Sequence, residues 1–444
     1  MTSPGMGSET TEVRLNPSSL EVPGSWESAE IGDVSTLVTD GAHQTPTYVE
    51  EGVRFLSTQN LRPFRDYFDY ADYERHIPPG EHEALTERCK PTDGDLLVSK
   101  CGTIGQTQLI RGSEEFSIFV GLALVKPNDR VNGSYLEQVL NWRPLRMAME
   151  ARSPGSTRKT LPIFALKGLP IPLPPLDEQR KIASVLYAVD NLIQNVGEAI
   201  DRLIRLRRGV RRRLLSHGTR DTERAKSGTR FGRLPETWSV RALDEVSEVV
   251  GGTTPSTDRD EYWGGEIPWA TPSDITALES ETIDGTARMI TSVAVDNCAL
   301  TVLPPESVLL TSRASIGEVA VNMVPMATNQ GFQSLVPSDG IDSWYLFYAV
   351  SELAPYLESL GAGSTFREIS NSVVKKVQVP VPPKSEQKEI VGILRSIDRT
   401  VTINKRYKAR LSSVKKGLMQ DLLSGKVRTH DKDIEVLDEV AAYG

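Results

Sequence analysis

Two loops of the chain combine a single cation with small polar residues. The first lies in LLVSKCGTIGQTQLI (96–110) and carries Lys100, and the second lies in VLLTSRASIGEVAVN (308–322) and carries Arg313. A loop of small residues lets backbone amides approach an anion, while a lysine or arginine can reach a phosphate or a guanine edge. Because the cation recurs at matched positions in the two loops, we weigh anion or base binding against a solvated surface charge, and both interpretations stay open.

Three other segments are rich in amide and hydroxyl side chains: STQNL (57–61), TPSDI (271–275) and ATNQGFQ (327–333). Asn and Gln can bond adenine through two hydrogen bonds, and Ser and Thr contact bases or phosphates. Turns favour the same residue types, so ordinary turn chemistry is the alternative for each. Cations that follow two Gly-Ser-Thr segments could hold a phosphate backbone. The candidate nucleic-acid contacts are Gln59, Asn60, Lys100, Thr103, Arg158, Lys159, Ser273, Ser312, Arg313, Asn329, Gln330 and Arg367.

No stretch of the sequence carries a recognisable catalytic motif. The segment LLSGKV (422–427) lacks the first glycine and the Ser/Thr of a phosphate-binding loop, and no GxGxxG follows a predicted strand. The Asn/Asp-Pro-Pro-aromatic motif of amino-methyltransferases is also missing from the sequence. Cys89, Cys101 and Cys298 form no CxxC pair, which indicates neither a disulfide framework nor a metal site. We therefore expect no catalytic residue, metal or cofactor in this chain.

The composition is typical of a soluble protein with several domains: 444 residues, of which 39% are hydrophobic and 25% charged. No apolar run approaches the roughly 18 residues that a membrane span needs, and the polar start predicts a disordered lead rather than a signal peptide. We expect a cytoplasmic protein that makes no membrane contact. The net charge of −8 argues against a protein that coats nucleic acid unaided.

The chain repeats one plan at a spacing of about 210 residues. Trp26 recurs as Trp238 and Gly105 as Gly317, both 212 residues later, and GSTRKTL at 155 recurs as GSTFREI at 363. The similarity is strong in the segments that follow the double prolines and weak in the globular segments before them. We call the globular segment of each copy its head. Two copies with similar helices and different heads suggest that one helical framework serves two different targets.

A double proline runs directly into an amphipathic segment in each copy: PPLDEQRKIASVLYAVD (174–190) and PPKSEQKEIVGILRSID (382–398). Proline lacks a backbone donor and disfavours helix in the residue before it, so the pair separates the preceding strand from the amphipathic segment. Asp177 and Ser385 are suitable N-caps, and the acidic residues after them suit the positive end of a helix dipole. Each double proline therefore predicts the start of a long helix.

Apolar residues recur at alternating steps of four and three along both helices, which is the seam of a coiled coil. Asn404, Lys408 and Lys415 interrupt the second seam, where polar residues can fix the register at a cost in stability. The alternative is that each helix only completes the core of its own head. The residues predicted to form the coiled coil and the partner-binding surface are Ile182, Leu186, Val189, Ile193, Ile390, Leu394, Ile397 and Val401.

Each helix leads away from its own globular segment, so antiparallel pairing is expected, over about 60 Å at 1.5 Å per residue. The predicted fold class is α+β. It consists of two duplicated α/β domains separated by an antiparallel two-helix coiled coil, with pseudo-twofold symmetry.

The duplicated heads, the Pro-Pro-x-x-Glu-Gln helix starts, the Gly-Ser-Thr loops and the hairpins that end in Ile-Gly together resemble the specificity subunit of type I restriction-modification systems. The resemblance spans about residues 22–426, and it implies a target-recognition domain before each conserved helix. The expected division is a disordered lead (1–21), target-recognition domain 1 (22–176), helix 1 (177–216), a linker (217–233), target-recognition domain 2 (234–384), helix 2 (385–426) and an acidic tail (427–444).

The resemblance also implies a function. Each domain would read one half of an asymmetric, bipartite sequence in double-stranded DNA, and the coiled coil would hold the halves apart across an unread spacer. Two modification subunits, adenine methyltransferases, would bring S-adenosylmethionine, and two restriction subunits, where they exist, would bring ATP and Mg. Partner subunits would then supply most of the phosphate neutralisation that dominates DNA affinity, which answers the objection from net charge.

Two other classes of function are compatible with parts of the sequence. A protein-interaction adaptor with two heads and no DNA readout would also use polar loops. An enzyme with a hidden site in the heads would have to work without any of the catalytic motifs that the sequence lacks.

Overall fold

The structure is a computed structural model that describes residues 10–15, 18–65, 67–69, 73–155, 159–220, 231, 233–361 and 368–444. The chain divides into two compact units. Unit 1 consists of Met1–Gly197 with Tyr407–Gly444, and unit 2 consists of Glu198–Arg406. Each unit therefore joins one globular head to the first half of its own long helix and to the second half of the other long helix.

The described residues of the first head form eleven strands and four α-helices, and the first long helix follows them. The strands are β1 (Thr10–Arg14), β2 (Ser19–Pro23), β3 (Glu27–Glu30), β4 (Ser35–Asp40), β5 (Val53–Leu56), β6 (His76–Ile77), β7 (Leu96–Ser99), β8 (Thr107–Leu109), β9 (Phe116–Ile118), β10 (Leu122–Pro127) and β11 (Pro170–Leu173). The helices are α1 (Pro79–Thr86), α2 (Gly133–Asn141), α3 (Arg143–Ala151), α4 (Ile163–Lys167) and the long helix α5 (Leu176–His217).

The second head follows the same plan. Its strands are β12 (Ser239–Ala242), β13 (Ser247–Gly251), β14 (Trp263–Ala270), β15 (Thr282–Ile283), β16 (Met289–Ile290), β17 (Val308–Leu310), β18 (Val319–Asn322), β19 (Ala327–Thr328), β20 (Gln333–Pro337) and β21 (Gln378–Val381). The helices are α6 (Leu243–Val246), α7 (Pro272–Thr276), α8 (Ser292–Asn297), α9 (Ser343–Glu352), α10 (Ala354–Leu360), α11 (Asn371–Lys375) and the long helix α12 (Lys384–Leu423). A short helix, α13 (Asp438–Ala441), comes next in unit 1.

The two heads have equivalent sheets. The order β4, β10, β7, β8 in the first head matches β13, β20, β17, β18 in the second, and the parallel pair β5·β9 matches β14·β19. Strand β7 is buried throughout: Leu96 and Val98 face the main core while Leu97 faces a smaller one, as the two-residue period of a strand requires. The predicted duplication and α+β class are confirmed.

The repeated Glu-Gln pair at the start of each long helix has a structural function. Gln179 accepts a hydrogen bond from the Asn132 amide at the start of α2 (2.9 Å) and donates one to the Pro174 carbonyl (2.8 Å). Gln387 does the same with the Asp342 amide (2.7 Å) and the Pro382 carbonyl (2.9 Å). Each glutamine thus ties the double-proline joint to a helix of its own head.

The glutamate of the pair is a buried carboxylate clamp. Glu178 accepts hydrogen bonds from the Trp26 indole (3.0 Å), the Thr429 amide (3.1 Å) and the Arg428 guanidinium (2.8 Å). Burial opposes ionisation of this carboxyl, but the hydrogen bonds from Arg428 and the others outweigh it and lower the pKa of Glu178. The clamp therefore joins the head, the start of α5 and the segment after α12 within unit 1.

Unit 2 contains the equivalent clamp. Glu386 accepts hydrogen bonds from the Trp238 indole (2.9 Å) and from the Thr219 amide (3.0 Å), which lies just after α5. The tryptophans and glutamates that repeat in the sequence are therefore partners, at 152 residues' separation in unit 1 and 148 in unit 2.

Within each unit the segments of α5 and α12 run antiparallel. In unit 1 the Lys415 ammonium lies 2.6 Å from the Asp190 carboxylate, and Lys408 lies against Gly197. The residue numbers of the contacting pairs increase along α5 and decrease along α12, so the two helices run in opposite directions. In unit 2 the Arg207 guanidinium lies 2.9 Å from the Asp398 carboxylate. The predicted antiparallel pairing is confirmed in both units, and Lys415 of the predicted seam is buried and paired with Asp190.

The predicted seam residues are all removed from solvent to some degree. Ile182, Leu186, Ile390 and Leu394 have no exposed surface, Val401 is buried, and Val189, Ile193 and Ile397 are half-buried. The alternative interpretation also holds for the first turns of α5, because Ile182 and Leu186 share one core with Val139 of the head and Leu422 of α12. The first helical turns of α5 therefore both complete the core of the head and pair with α12.

The segment after α12, predicted as an acidic tail, packs on the first head. Val440 of α13 has no exposed surface, and its carbonyl accepts a hydrogen bond from the Asn132 side chain (2.8 Å). The Tyr443 carbonyl accepts another from the Gly133 amide (2.6 Å). The end of the chain is thus part of unit 1.

We expect the protein to lose much stability when one member of the Asp190–Lys415 pair is removed, and little when both are replaced by neutral residues. Burial raises the pKa of Asp190 and lowers that of Lys415, so each charge depends on the other. Asp190→Ala leaves a buried, unpaired ammonium and should lower the free energy of unfolding by about 3–5 kcal/mol, whereas Asp190→Asn with Lys415→Met should cost far less. Urea unfolding of the full chain measures both.

The matched control is the exposed pair Arg14–Glu12, where Glu12→Ala should change the free energy of unfolding far less, because solvent screens an exposed ion pair. A loss in Asp190→Ala no larger than in the control would contradict the structural role of the buried pair.

Candidate nucleic-acid interface

Three turns of each head converge at one place. We name them the cap turn (57–60 and 271–274), the hairpin turn (99–105 and 311–317) and the glycine turn (118–122 and 328–332). A side chain at Gly121 of the glycine turn would crowd Cys101 of the hairpin turn and Thr58 of the cap turn, so the three turns are packed together. Gly331 lies in the same way against Pro272 of its own cap turn. The turns hold nine of the twelve predicted contact residues.

The cap turn presents one residue outward and buries the next. The Ser57 amide donates to the Asn60 side chain (2.8 Å), and Asn60 in turn donates to the carbonyls of Asp69 (2.8 Å) and Tyr73 (3.2 Å). Asn60 is 1% exposed, so its polar atoms hold the turn, which favours the turn-chemistry alternative for this residue. Gln59, its neighbour, is exposed.

The cap turn of the second head is built in the same way. The Thr271 amide donates to the Asp274 carboxylate at 2.8 Å, and Ser273 is exposed where the first head has Gln59. The segments STQNL and TPSDI are therefore equivalent turns, and ordinary turn chemistry accounts for Asn60 in the first and Asp274 in the second.

The hairpin turn is held by a hydroxyl and a glycine. The Ser99 hydroxyl donates to the Thr103 carbonyl (2.6 Å) and accepts from the Gln106 amide (2.8 Å). Thr311 accepts from the Glu318 amide (3.0 Å) in the second head. Gly105 has φ of +79° and packs against Met149, which explains why the Ile-Gly pair recurs in both copies. Thr103, at the tip, is exposed.

The two loop cations do not occupy equivalent positions, which corrects the sequence-based prediction. The Lys100 amide donates to the Gly121 carbonyl, and the Ser312 amide donates to the Gly331 carbonyl, both at 2.7 Å. Lys100 is therefore the counterpart of Ser312, and Arg313 is the counterpart of Cys101. The sequence spacing of 212 gives the same correspondence, which the shared presence of one cation per loop had obscured.

Lys100 does not present an exposed cation. Its side chain is 6% exposed and forms an ion pair with Asp40, whose side chain is 9% exposed. Burial opposes the charge on Asp40, but the hydrogen bond from Lys100 outweighs it and lowers the pKa of the carboxyl. The position supports the hairpin turn from beneath rather than offering its charge to a ligand. Ser312 is likewise buried, with no hydrogen-bond partner for its hydroxyl among the described residues.

Arg313 is exposed over 43% of its side chain, and its guanidinium lies 2.7 Å from Glu368. Of the three cations after the Gly-Ser-Thr segments, Lys159 is exposed, whereas Arg158 and Arg367 lie outside the described residues. Arg313 is thus the loop cation that remains available at the surface, and a single carboxylate restrains it.

The glycine turn differs most between the heads. In the second head the Asn329 side chain accepts from the Gly331 amide at 2.9 Å and shapes the turn, while Gln330 is exposed and bonded to Thr254. In the first head the positions of Asn329 and Gln330 are taken by Phe119 and Val120. The backbone is conserved between the heads, and the exposed side chains are not.

Aromatic and cationic residues that the sequence analysis did not single out complete both faces. In the first head a cleft of about 290 Å³ is lined by Gln59, Cys101, Tyr48 and Arg75, and the Arg75 guanidinium lies 4.8 Å from the centre of the Tyr48 ring. Such cation–aromatic pairs join residues distant in sequence, so no local motif marks them. They provide planar surfaces and donors for a base or a phosphate.

The second head has its own pair. The Arg288 guanidinium lies 3.6 Å from the centre of the Trp263 ring, which packs edge-on against Trp269. Across the described ranges, no group of three His, Cys, Asp or Glu side chains could hold a metal ion. The arrangement of donors, acceptors and rings suits recognition of an anionic, planar ligand.

Comparison with known proteins decides the family. The family model for the type I restriction modification DNA specificity domain matches residues 23–203 and 235–413. The chain belongs to this family. It is a DNA specificity subunit whose two heads are its target-recognition domains, and the adaptor without DNA readout is not favoured.

Two relatives come from Methanocaldococcus jannaschii. The type I restriction enzyme MjaIX specificity subunit is 40% identical over 188 residues, which cover 42% of this chain and 44% of the relative. The putative MjaX specificity subunit is 26% identical over 421 residues, 92% of this chain and 95% of the relative. The crystal structure of the S subunit from M. genitalium shares the fold, with a TM-score of 0.55, 16% identity and coverage of 90% and 96%.

No helix in the described part of this specificity subunit is long and apolar enough to cross a membrane.

We expect neighbouring residues of the cap turn to respond differently to substitution. Asn60→Ala removes the four hydrogen bonds of this side chain and should lower the free energy of unfolding by about 1–3 kcal/mol. Gln59→Ala changes an exposed side chain and should stay within about 0.5 kcal/mol of the parent protein. Thermal and urea unfolding compare the two, and equal destabilisation would contradict the division between turn-holding and outward residues.

Proposed function

We propose that each head reads one half of a two-part DNA sequence through its three turns, and that the paired helices set the interval between the halves. The observation that supports this most directly is that one backbone arrangement occurs twice with different outward residues. Gln59, Cys101 and Val120 in the first head stand where Ser273, Arg313 and Gln330 stand in the second. A shared scaffold with unlike tips is suited to the same task on two different sequences.

The chemistry of the tips fits base recognition. Gln can bond adenine, Arg can bond guanine through two donors, and Ser contacts either a base or a phosphate. The chain itself catalyses nothing in this proposal. Two methyltransferase subunits bring S-adenosylmethionine and perform the base flipping that methylation requires, and two restriction subunits, where present, bring ATP and Mg.

The net charge of −8 is compatible with this division of labour. Phosphate contacts dominate the affinity of DNA complexes, and the methyltransferase subunits that close around the duplex supply them. The outer surfaces of α5 and α12 provide the docking sites. Selection of the assembled methyltransferase complex on randomised duplexes tests the proposal: enrichment of a sequence in two parts supports it, and binding without sequence preference opposes it.

We expect substitutions in the two heads to act on different half-sites. Arg313→Ala removes the exposed cation of the second head and should relax one base position by about 1–3 kcal/mol of discrimination, with the other half-site unchanged. Gln59→Ala is the matched variant in the first head and should affect only the other half. Methylated-adenine sequencing reads both sites, and a uniform loss at both halves for either variant would contradict two independent readers.

We expect the helices to determine spacer length. A heptad inserted after Gly197 and another after Arg406 keep the apolar seam in register and lengthen each helix by about 10 Å. The preferred spacer should grow while both half-sequences stay the same. A heptad in α5 alone is the control: it displaces Asp190 or Arg207 from its partner on α12 and should lower stability. An unchanged spacer with the paired insertion would contradict the prediction.

A further inference from the structure

Unit 2 contains a cationic groove whose three arginines have no cation at the equivalent positions of α5. Arg395, Arg399 and Arg406 lie on one side of α12, at the four- and seven-residue steps that place side chains on the same helix face. They line one cleft of about 210 Å³ together with Trp344 of α9 and Ile403 of α12. We name this cleft the arginine groove.

The charge of the groove is not neutralised from within. All three arginines are exposed, and none forms an ion pair with a carboxylate among the described residues. The Arg395 guanidinium lies 4.1 Å from the centre of the Trp344 ring, which holds it toward the cleft. The groove therefore offers three guanidinium groups to an external anion.

The two carboxylates that line the groove are occupied elsewhere. Asp398 is buried, paired with Arg207 at 2.9 Å and hydrogen-bonded to Tyr348. Glu281 lies 3.4 Å from the same guanidinium, and burial, followed by the nearby Asp398, raises the pKa of Glu281. Neither carboxylate offsets the arginines at the surface.

The equivalent face of the first long helix has a different character. At the sequence spacing of 208, Arg395, Arg399 and Arg406 correspond to Tyr187, Asn191 and Glu198. The helices are otherwise the most similar part of the two copies, so three cations on one copy and none on the other distinguish the two ends of the proposed docking surface.

The apolar residues of the groove identify the class of ligand. Ile403 is 57% exposed and, with Trp344, gives the groove an apolar wall beside its cations. A phosphate backbone has no apolar group that would pack against Ile403 and Trp344. An acidic protein segment with an apolar side chain complements both the cations and the apolar residues.

We propose that the arginine groove binds an acidic, partly apolar segment of one methyltransferase subunit, so that the two methyltransferase subunits attach to this chain with unequal affinity and unequal sensitivity to salt. This inference rests on the proposed function, since it concerns the docking of those subunits. The subunit at unit 2 gains a charge-dependent contact that the subunit at unit 1 does not have.

The test is titration of the full chain with its methyltransferase subunit, followed by native mass spectrometry at low and high salt. Arg395→Gln with Arg399→Gln and Arg406→Gln should weaken one of the two binding steps about tenfold or more and remove its salt dependence, since three ion pairs are lost. The other step should not change. The corresponding Arg→Lys triple keeps the charge and should retain most of the affinity.

The control variant removes the same charge from outside the two long helices: Arg143→Gln, Arg233→Gln and Arg241→Gln, all exposed. If this control weakened methyltransferase binding equally, the proposed role of the arginine groove would be wrong, and general electrostatic attraction would explain the result. Unchanged binding by the Arg395, Arg399 and Arg406 variant would overturn it as well, with the proposed function intact.

A third outcome concerns DNA. If the groove variant lost affinity for a non-target duplex while both methyltransferase steps stayed as in the parent, the groove would hold a phosphate backbone and the inference would be wrong. If the unaltered chain bound no methyltransferase subunit at all, the proposed function and this inference would both fail.

Discussion

A buried carboxylate at the first turn of each long helix holds the unit around it together. In unit 1 the Glu178 carboxylate receives an indole from the head, a guanidinium and a backbone amide from the segment after α12, and it belongs to α5 itself. Burying an anion is expensive unless its lone pairs are satisfied, so the same burial that would destabilise a lone glutamate makes all of its partners necessary. The head, the joint and both helices are coupled because they share this one charge.

The heads show how a protein can keep a scaffold and vary what it presents. The hydroxyl of the hairpin turn, the glycine behind it and the amide or carboxylate of the cap turn are fixed by packing and by hydrogen bonds within the turns. The residues between them face outward and are not needed to hold the turns. Within the three turns the copies therefore differ at the outward positions, while the positions that shape the backbone stay alike.

Much of the architecture could be predicted from the sequence, because it rests on patterns that repeat. The apolar seam, the proline joints and the spacing of Trp26 and Trp238 all reflect local rules, and the antiparallel pairing of α5 and α12 followed from them. The candidate interface was harder. Asn60 and Gln59 are neighbours of similar chemistry, and only the fold shows that one is buried with its hydrogen bonds satisfied and the other exposed.

The same limit applies to charge. Lys100 has the sequence context of a loop cation, but the sheet brings it against its partner Asp40, sixty residues away in the chain. The pairs Arg75–Tyr48 and Arg288–Trp263 depend on contacts across loops for which no spacing rule exists. Single-sequence patterns do not contain the long-range pairing of polar groups, and interfaces consist largely of such pairs.

The composition of unit 1 from two distant stretches, Met1–Gly197 and Tyr407–Gly444, has a consequence for biosynthesis. The amino-terminal head emerges from the ribosome long before the residues that close its core, among them Leu422 and Val440. Until Tyr407–Gly444 has been synthesised, the apolar surface of the head and the Glu178 carboxylate lack partners that lie more than two hundred residues away. Contacts of such sequence separation form slowly, so the first head is exposed to misassembly until this second stretch has emerged.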